Sequence, residues 1–225
     1  TPVIMVTKSE EENIMDKAVG SKIADYLIKP VNPNQVLLSI KKNVHQQQLV
    51  TEQTTADYRS EFGRISSSLQ MAETFGDWCS LYRKLANWEV DLSESTDQSI
   101  KEVLTYQKTE ANQEFCKFVR RNYYNWINRR SEDTPVMSHT LMRTNIFPVA
   151  DENPKTTLLL IDNFRYDQWR SISSLLRGYY DVALDDFYCA ILPTATQYAR
   201  NAIFAGLMPL AIDKLMPNKW LNDNE

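Results

Sequence analysis

The chain has 225 residues, 43% of them hydrophobic, with 25 basic and 29 acidic side chains and a net charge of -4. With a pI near 5.4 and basic runs no more prominent than Arg120-Arg121 and Arg129-Arg130, it lacks the positive face that gripping duplex nucleic acid requires, which disfavours a DNA-binding output. No stretch approaches the roughly 18 consecutive apolar residues of a membrane span. Cys79, Cys116 and Cys189 are odd in number, far apart and set among apolar residues, a pattern of reduced thiols in a cytoplasmic protein rather than of a disulfide framework or zinc knuckle.

Residues Pro2 to Thr7 (PVIMVT) form an apolar, β-rich run that predicts a buried strand. Glu10 to Val19 follows with helical spacing of Ile14, Met15 and Ala18, and Tyr26 to Ile28 predicts a second strand. Lys29-Pro30 ends that strand. Asn32 then supplies an N-cap with Pro33 at the first helical position, opening a helix with Val36, Ile40 and Val44 on one stripe. Strand, helix, strand, helix in this order implies a parallel, doubly wound sheet. Two strands do not make a stable open sheet, so the chain is expected to begin partway through a domain.

From about residue 46 to 130 the pattern turns helical. Tyr58, Phe62, Ile65 and Leu69 recur at helical spacing, as do Trp78, Leu81, Tyr82 and Leu85, and Asp97 is placed to cap a long helix carrying Ile100, Leu104, Ala111, Phe115 and Phe118. The expectation is a bundle packed through Phe62, Leu69, Trp78, Leu85, Leu104 and Phe115. Residues 131–155, with Pro135, Pro148 and Pro154, predict an exposed connector. At Thr157 to Ile161 (TLLLI) the β pattern returns as a buried strand ending in Asp162. Phe164 to Leu176 predicts a helix, Tyr179 to Ala183 and Phe187 to Ile191 strands, and Thr196 to Leu207 a further helix. The fold class expected is α/β with a helical middle: part of a doubly wound domain over 1–45, a helical bundle over 46–130, a connector over 131–155 and the start of a second α/β domain over 156–225.

Functional groups in parallel α/β sheets gather at the carboxyl ends of strands. Thr7 ends the first strand, and Tyr26, Lys29 and Pro30 stand on or just after the second. Each alone has a plain reading as a strand-ending hydroxyl or a solvated cation. As a set, VT after one strand and DYLIKP on the next resemble the second half of a CheY-like receiver domain. The resemblance implies that Thr7 hydrogen-bonds an aspartyl phosphate, that Lys29 pairs with it, and that Tyr26 is the aromatic switch that follows Thr7. The loop before Tyr26 departs from the family, with Lys22-Ile23 in place of the customary glycine-alanine pair. The phosphoacceptor aspartate and the ligands of the magnesium that serves phosphorylation precede Thr1 in such domains.

In the last segment Asp162 directly follows an apolar strand, in IDNFRYDQW, and ILPTATQYARNAIFAG sets hydroxyls at the mouth of a helix. A strand-end carboxylate serves either a turn or a hard-metal site. A threonine at a helix start either caps it or sits where amides and dipole favour a phosphate oxygen. Arg165 and Asp167 read either as a solvated ion pair or as phosphate and orienting groups. The combination of strand, Asp, two residues, Arg, then Pro-Thr-x-Thr resembles the opening of PglZ domains in the alkaline phosphatase superfamily. That resemblance implies that Asp162 ligates one of two zinc ions and that Thr196 is the metal-bound nucleophile, with Thr194 as its cap or the second choice. Such a site needs more Asp and His ligands than the segment holds. The two histidines, His45 and His139, both precede Asp162, so this stretch alone is expected to be inactive.

A receiver part, a helical middle and a PglZ start stand together, in this order, in PorX-type response regulators, which the chain resembles over nearly its whole length. The resemblance implies a regulator phosphorylated by a histidine kinase and dimerising on phosphorylation. Its output domain would be a zinc phosphodiesterase acting on nucleotide-type phosphodiesters, and it would control type IX secretion together with secretion-regulation proteins. The competing expectation is a non-catalytic, phosphorylation-dependent docking or scaffold regulator.

Overall fold

A computed structural model describes residues 3–8, 23–128 and 132–219, without the side chains of 44–51 and 219. The helix expected over Glu10 to Val19 lies outside the described residues. The chain divides into two compact units, one of Thr1–Arg64 with Asp91–Val103, the other of Ile65–Val90 with Leu104–Glu225.

In the first unit β1 (Val3–Thr7) and β2 (Ile23–Ile28) pair in parallel, with Met5 opposite Tyr26 and Thr7 opposite Ile28. Helix α1 spans Pro33–Met71, and its start follows from its sequence. The Asn32 side chain accepts the Asn34 amide (2.9 Å), and Gln35 reaches back to accept the Asn32 amide (3.2 Å). Two orphan donors are thereby satisfied at a terminus where Pro33 has no N–H to lose. Buried Ser39 on α1 donates to the Asp25 carboxylate on β2, which also accepts the Tyr26 amide. These two bonds, Ser39 first, hold the Asp25 carboxyl below its usual range and fasten helix to sheet. α1 runs unbroken through residues 45 and 46, the boundary expected between the first α/β segment and the helical middle.

Helix α2 (Phe75–Asp91) and helix α3 (Gln98–Asn128) complete the helical middle. A reciprocal box opens α2: Asp77 accepts the Thr74 amide (2.8 Å) while the Thr74 hydroxyl accepts the Asp77 amide (3.1 Å). Asp97 caps α3 as expected, accepting from Ser99 (3.0 Å). In the second unit Trp78, Leu81, Leu85, Ala111, Phe118 and Trp126 are buried, and Trp78 lies 5.5 Å from Phe115 and 5.8 Å from Phe118 between ring centroids. Of the side chains expected to pack the bundle, Leu69, Trp78, Leu85 and Leu104 are buried and Phe115 is half-buried. Phe62 is the exception at 36% exposure. Its ring meets the buried Tyr58 ring edge-on, 6.4 Å between centroids.

The predicted connector carries structure: α4 (Ser138–Leu141), a π turn (Met142–Ile146) and α5 (Phe147–Glu152). Pro148 does not prevent this because it falls in the first turn of α5, where its missing N–H has no helical partner to lose. Then come α6 (Tyr166–Leu176), α7 (Thr196–Ala205), α8 (Pro209–Leu215) and a 3-10 turn (Pro217–Lys219). Gly206 closes α7 in the left-handed region, φ 64°, its amide reaching Ala202 O (3.0 Å).

The strands expected at 157–161, 179–183 and 187–191 do not form. Among the described residues this region keeps a single parallel bridge, Met137 to Cys189. An apolar run becomes a strand only when a neighbouring strand takes its amides and carbonyls, and among the described residues no such partner stands beside 157–161, where Leu159 is 78% exposed. The described residues therefore form a mixed α/β fold, two paired strands (Val3–Thr7 and Ile23–Ile28) followed by a helix-rich remainder.

Candidate functional site

Two groups of predicted residues stand at element ends. At the carboxyl edge of the first sheet the Lys29 amide donates to Thr7 O (2.7 Å), which sets Thr7 and Lys29 side by side. Since residues two apart share a face of a strand, Thr7 lies on the face of Met5 and of its partner Tyr26. Thr7 and Tyr26 are half-buried and Lys29 is exposed. A hydroxyl, an ammonium and a ring thus sit at one sheet edge.

The second group is in the other unit. Asp162 ends the apolar run, accepts the amide of Asn163 (3.0 Å), and Asn163 turns the chain with φ 55°. Arg200 reaches the Asp162 carboxylate at 3.9 Å. Arg200 lies four residues along α7 from Thr196, which opens that helix, so the ion pair ties Asp162 to the first turns behind Thr196. The cap role expected for Thr194 is not found: Ala195 occupies the N-cap position and no side-chain cap bond is made. α7 begins one residue too late for Thr194 to reach its first amides. Thr194 is exposed and Thr196 half-buried. Arg165 and Asp167 form a two-pronged pair, Nε to Oδ1 at 2.9 Å and Nη2 to Oδ2 at 2.6 Å, and the Arg165 bond holds the Asp167 carboxyl below its usual range.

Sequence reasoning passed over the residues that hold the segment leading into α7. Phe187 packs 5.0 Å from Tyr166 and 5.5 Å from Tyr82. Arg83 on α2 lies over the Phe187 ring (4.9 Å), pairs with Asp185 (3.1 Å) and donates to Asp185 O (2.8 Å). Cys189 N donates to Val136 O (2.8 Å), Ile191 N to the Ser138 hydroxyl (3.1 Å) and Leu192 N to the Tyr123 hydroxyl (2.7 Å). Tyr123 stands in an aromatic cluster on α3 that pattern alone assigns to core or interface. Beside this segment is a largely apolar cavity of about 500 Å³, bounded by Trp78, Phe115, Phe187 and Cys189 and reaching Thr194. Burial pushes the Cys79 and Cys189 thiols on its wall up to about 11.

Among the described residues no group of three or more His, Cys, Asp or Glu stands close enough to hold a metal ion, and no helix is long and apolar enough to cross a membrane. Residues 48–127 match the family described as the PorX response regulator linker domain. Residues 141–224 match that described as the BREX system PglZ alkaline phosphatase-like domain. The second match spans Asp162, Arg165, Thr194 and Thr196. No curated protein matches the chain.

Proposed function

We propose, from a domain architecture that matches a PorX-type response regulator with a PglZ alkaline-phosphatase-like domain, that the intact protein is a two-component regulator whose PglZ domain is a zinc-dependent phosphodiesterase acting on nucleotide-type phosphodiesters. The observation that carries this reading is the tie between Asp162 and the helix that Thr196 opens, made by Arg200. Arg200, on the helix that Thr196 opens, brings a guanidinium to the Asp162 carboxylate, and these residues fall within one family match.

The donor chemistry suits a zinc ion in part. A carboxylate oxygen and a threonine oxygen are ligands zinc accepts, and Asp162 and Thr196 are the residues here that would hold it, as two members of a larger set. When bound, zinc lowers the pKa of a coordinated hydroxyl and offsets charge on phosphate oxygens. The chain's own contribution is positional. Thr196 Oγ sits where the amides of the first helical turn and the helix dipole favour an incoming phosphate. Its attack forms an O–P bond as the bond to the leaving oxygen breaks, the hydroxyl proton ending on the departing alcohol, and water then hydrolyses the phosphothreonine to free threonine and a phosphomonoester.

In the receiver part, Thr7 and Lys29 are the proposed readers of an aspartyl phosphate made by a histidine kinase with magnesium, and Tyr26 the ring that relays it. Dimerisation on phosphorylation and control of type IX secretion through secretion-regulation proteins belong to the same reading, carried by the PorX resemblance. The test is Thr196→Val in the intact protein. It keeps the branched shape, removes the oxygen, and should abolish hydrolysis of bis-p-nitrophenyl phosphate while folding persists. Normal turnover by Thr196→Val with an inactive Thr194→Val would move the nucleophile to Thr194. Normal turnover by both would end the covalent route.

A further inference from the structure

We propose that Tyr123 and Arg83, on the helices matched to the linker domain, are positioning residues for the threonine-bearing loop of the PglZ-like part, so that the linker is a working wall of the site. This deepens, and rests on, the phosphodiesterase reading above.

The argument begins with what holds residues 187–196. Among the described residues the segment has no strand neighbours beyond the bridge at Cys189, so its backbone must be satisfied one group at a time. Its outer anchors come from just before the PglZ match: Val136 O takes the Cys189 amide and the fully buried Ser138 hydroxyl takes the Ile191 amide. The last anchor before the loop is different. Leu192 N donates to the Tyr123 hydroxyl at 2.7 Å, across 69 positions of sequence. Beyond Leu192, α7 starts at Thr196 with Ala195 as N-cap and no side-chain cap. Four residues cover at most about 14 Å and two at most about 7 Å. The Tyr123 hydroxyl is therefore the nearest backbone tether upstream of both threonines.

Arg83 secures the other end of the segment. Its guanidinium pairs with the Asp185 carboxylate, donates to the Asp185 carbonyl, and lies 5.7 and 4.9 Å from the centroids of the Tyr166 and Phe187 rings. Tyr166 itself donates to Asp185 (3.2 Å). A planar fork that donates in two directions and stacks on rings cannot be replaced by a flexible ammonium without loss of direction. Tyr166 also opens α6, four residues after Asp162. Arg83 thus touches elements that lead to Asp162 on one side and to the threonines on the other. A shift of α2 against α3 would move both.

The experiment uses the full-length protein and two readouts. Amide exchange followed by mass spectrometry should show the Leu192 amide exchanging roughly tenfold or more faster in Tyr123→Phe, with α3 itself unchanged. Hydrolysis of bis-p-nitrophenyl phosphate by the same variant should lose about tenfold to a hundredfold in kcat, with KM within about twofold, because reacting groups are misplaced while binding surface is kept. Tyr124→Phe, next on the helix and exposed, should match the parent in both. Arg83→Met should speed exchange over 185–192 and lower kcat in the same way. Unchanged protection of the Leu192 amide in Tyr123→Phe overturns the anchor. Lost protection with unchanged kcat overturns the positioning role. If the parent protein hydrolyses no phosphodiester, it is the reading of the reaction that fails, and the exchange data alone decide the anchor.

Discussion

Replacing Ser138 by alanine isolates one buried polar contact. Ser138 and Ile191 are both fully buried, and the Ile191 amide donates to the Ser138 hydroxyl at 3.1 Å. Removing the oxygen loses that bond and leaves an amide that water does not reach. A net hydrogen bond is worth about 1 kcal/mol, and a stranded buried donor costs about 1–3 kcal/mol. The space vacated by one oxygen is too small to hold a water molecule in compensation. The expected loss is therefore about 2 kcal/mol. For a chain of this size each kcal/mol lowers Tm by about 2–4 °C, which gives a fall of roughly 4–8 °C. Because the chain divides into two units, a single transition is not assumed. Tryptophan fluorescence on heating should be paired with amide exchange of residues 189–192. Ser171→Ala, which removes an exposed hydroxyl bonded to the Asp167 carbonyl (2.9 Å), is the control and should stay within about 0.5 kcal/mol. A Ser138→Ala protein as stable as the parent would refute the claim that this amide depends on Ser138.

Asp77 accepts the Thr74 amide first and other groups of the α2 start after it, which holds its carboxyl below the usual range. A depressed folded pKa contributes stability above the unfolded value of about 4 and loses it as pH falls through the folded value. Asp77→Asn should therefore weaken the protein at neutral pH and flatten the acid limb of its stability curve, measured by urea unfolding from neutral to about pH 3; an unaltered limb counts against the cap. Among the thiols, Cys116 is exposed, whereas burial pushes Cys79 and Cys189 up to about 11. Iodoacetamide near neutral pH should alkylate Cys116 well before the other two, and peptide mass spectrometry showing comparable rates would contradict their burial.

The features legible from sequence were those decided within a turn or two of chain. Asn32-Pro33 and Asp97 start helices because cap and amide lie two or three residues apart. The apolar spacing of Trp78, Leu81 and Leu85 marks one buried face of α2 because helical periodicity is local. The paired edge of Thr7 and Lys29 was visible for a related reason, since both directly end apolar runs that pair in parallel. Tertiary structure decided the rest. TLLLI has the composition of a buried strand, but a strand is completed by hydrogen bonds to a neighbour that its own residues do not encode, and here it stays exposed. The contacts that hold the segment before Thr196 join Arg83, Tyr123 and Ser138 to residues 102, 69 and 53 positions away. No short-range pattern distinguishes Tyr123 from Tyr124 on α3. Only packing selects the hydroxyl that meets the Leu192 amide, because direction and distance between remote segments are properties of the fold.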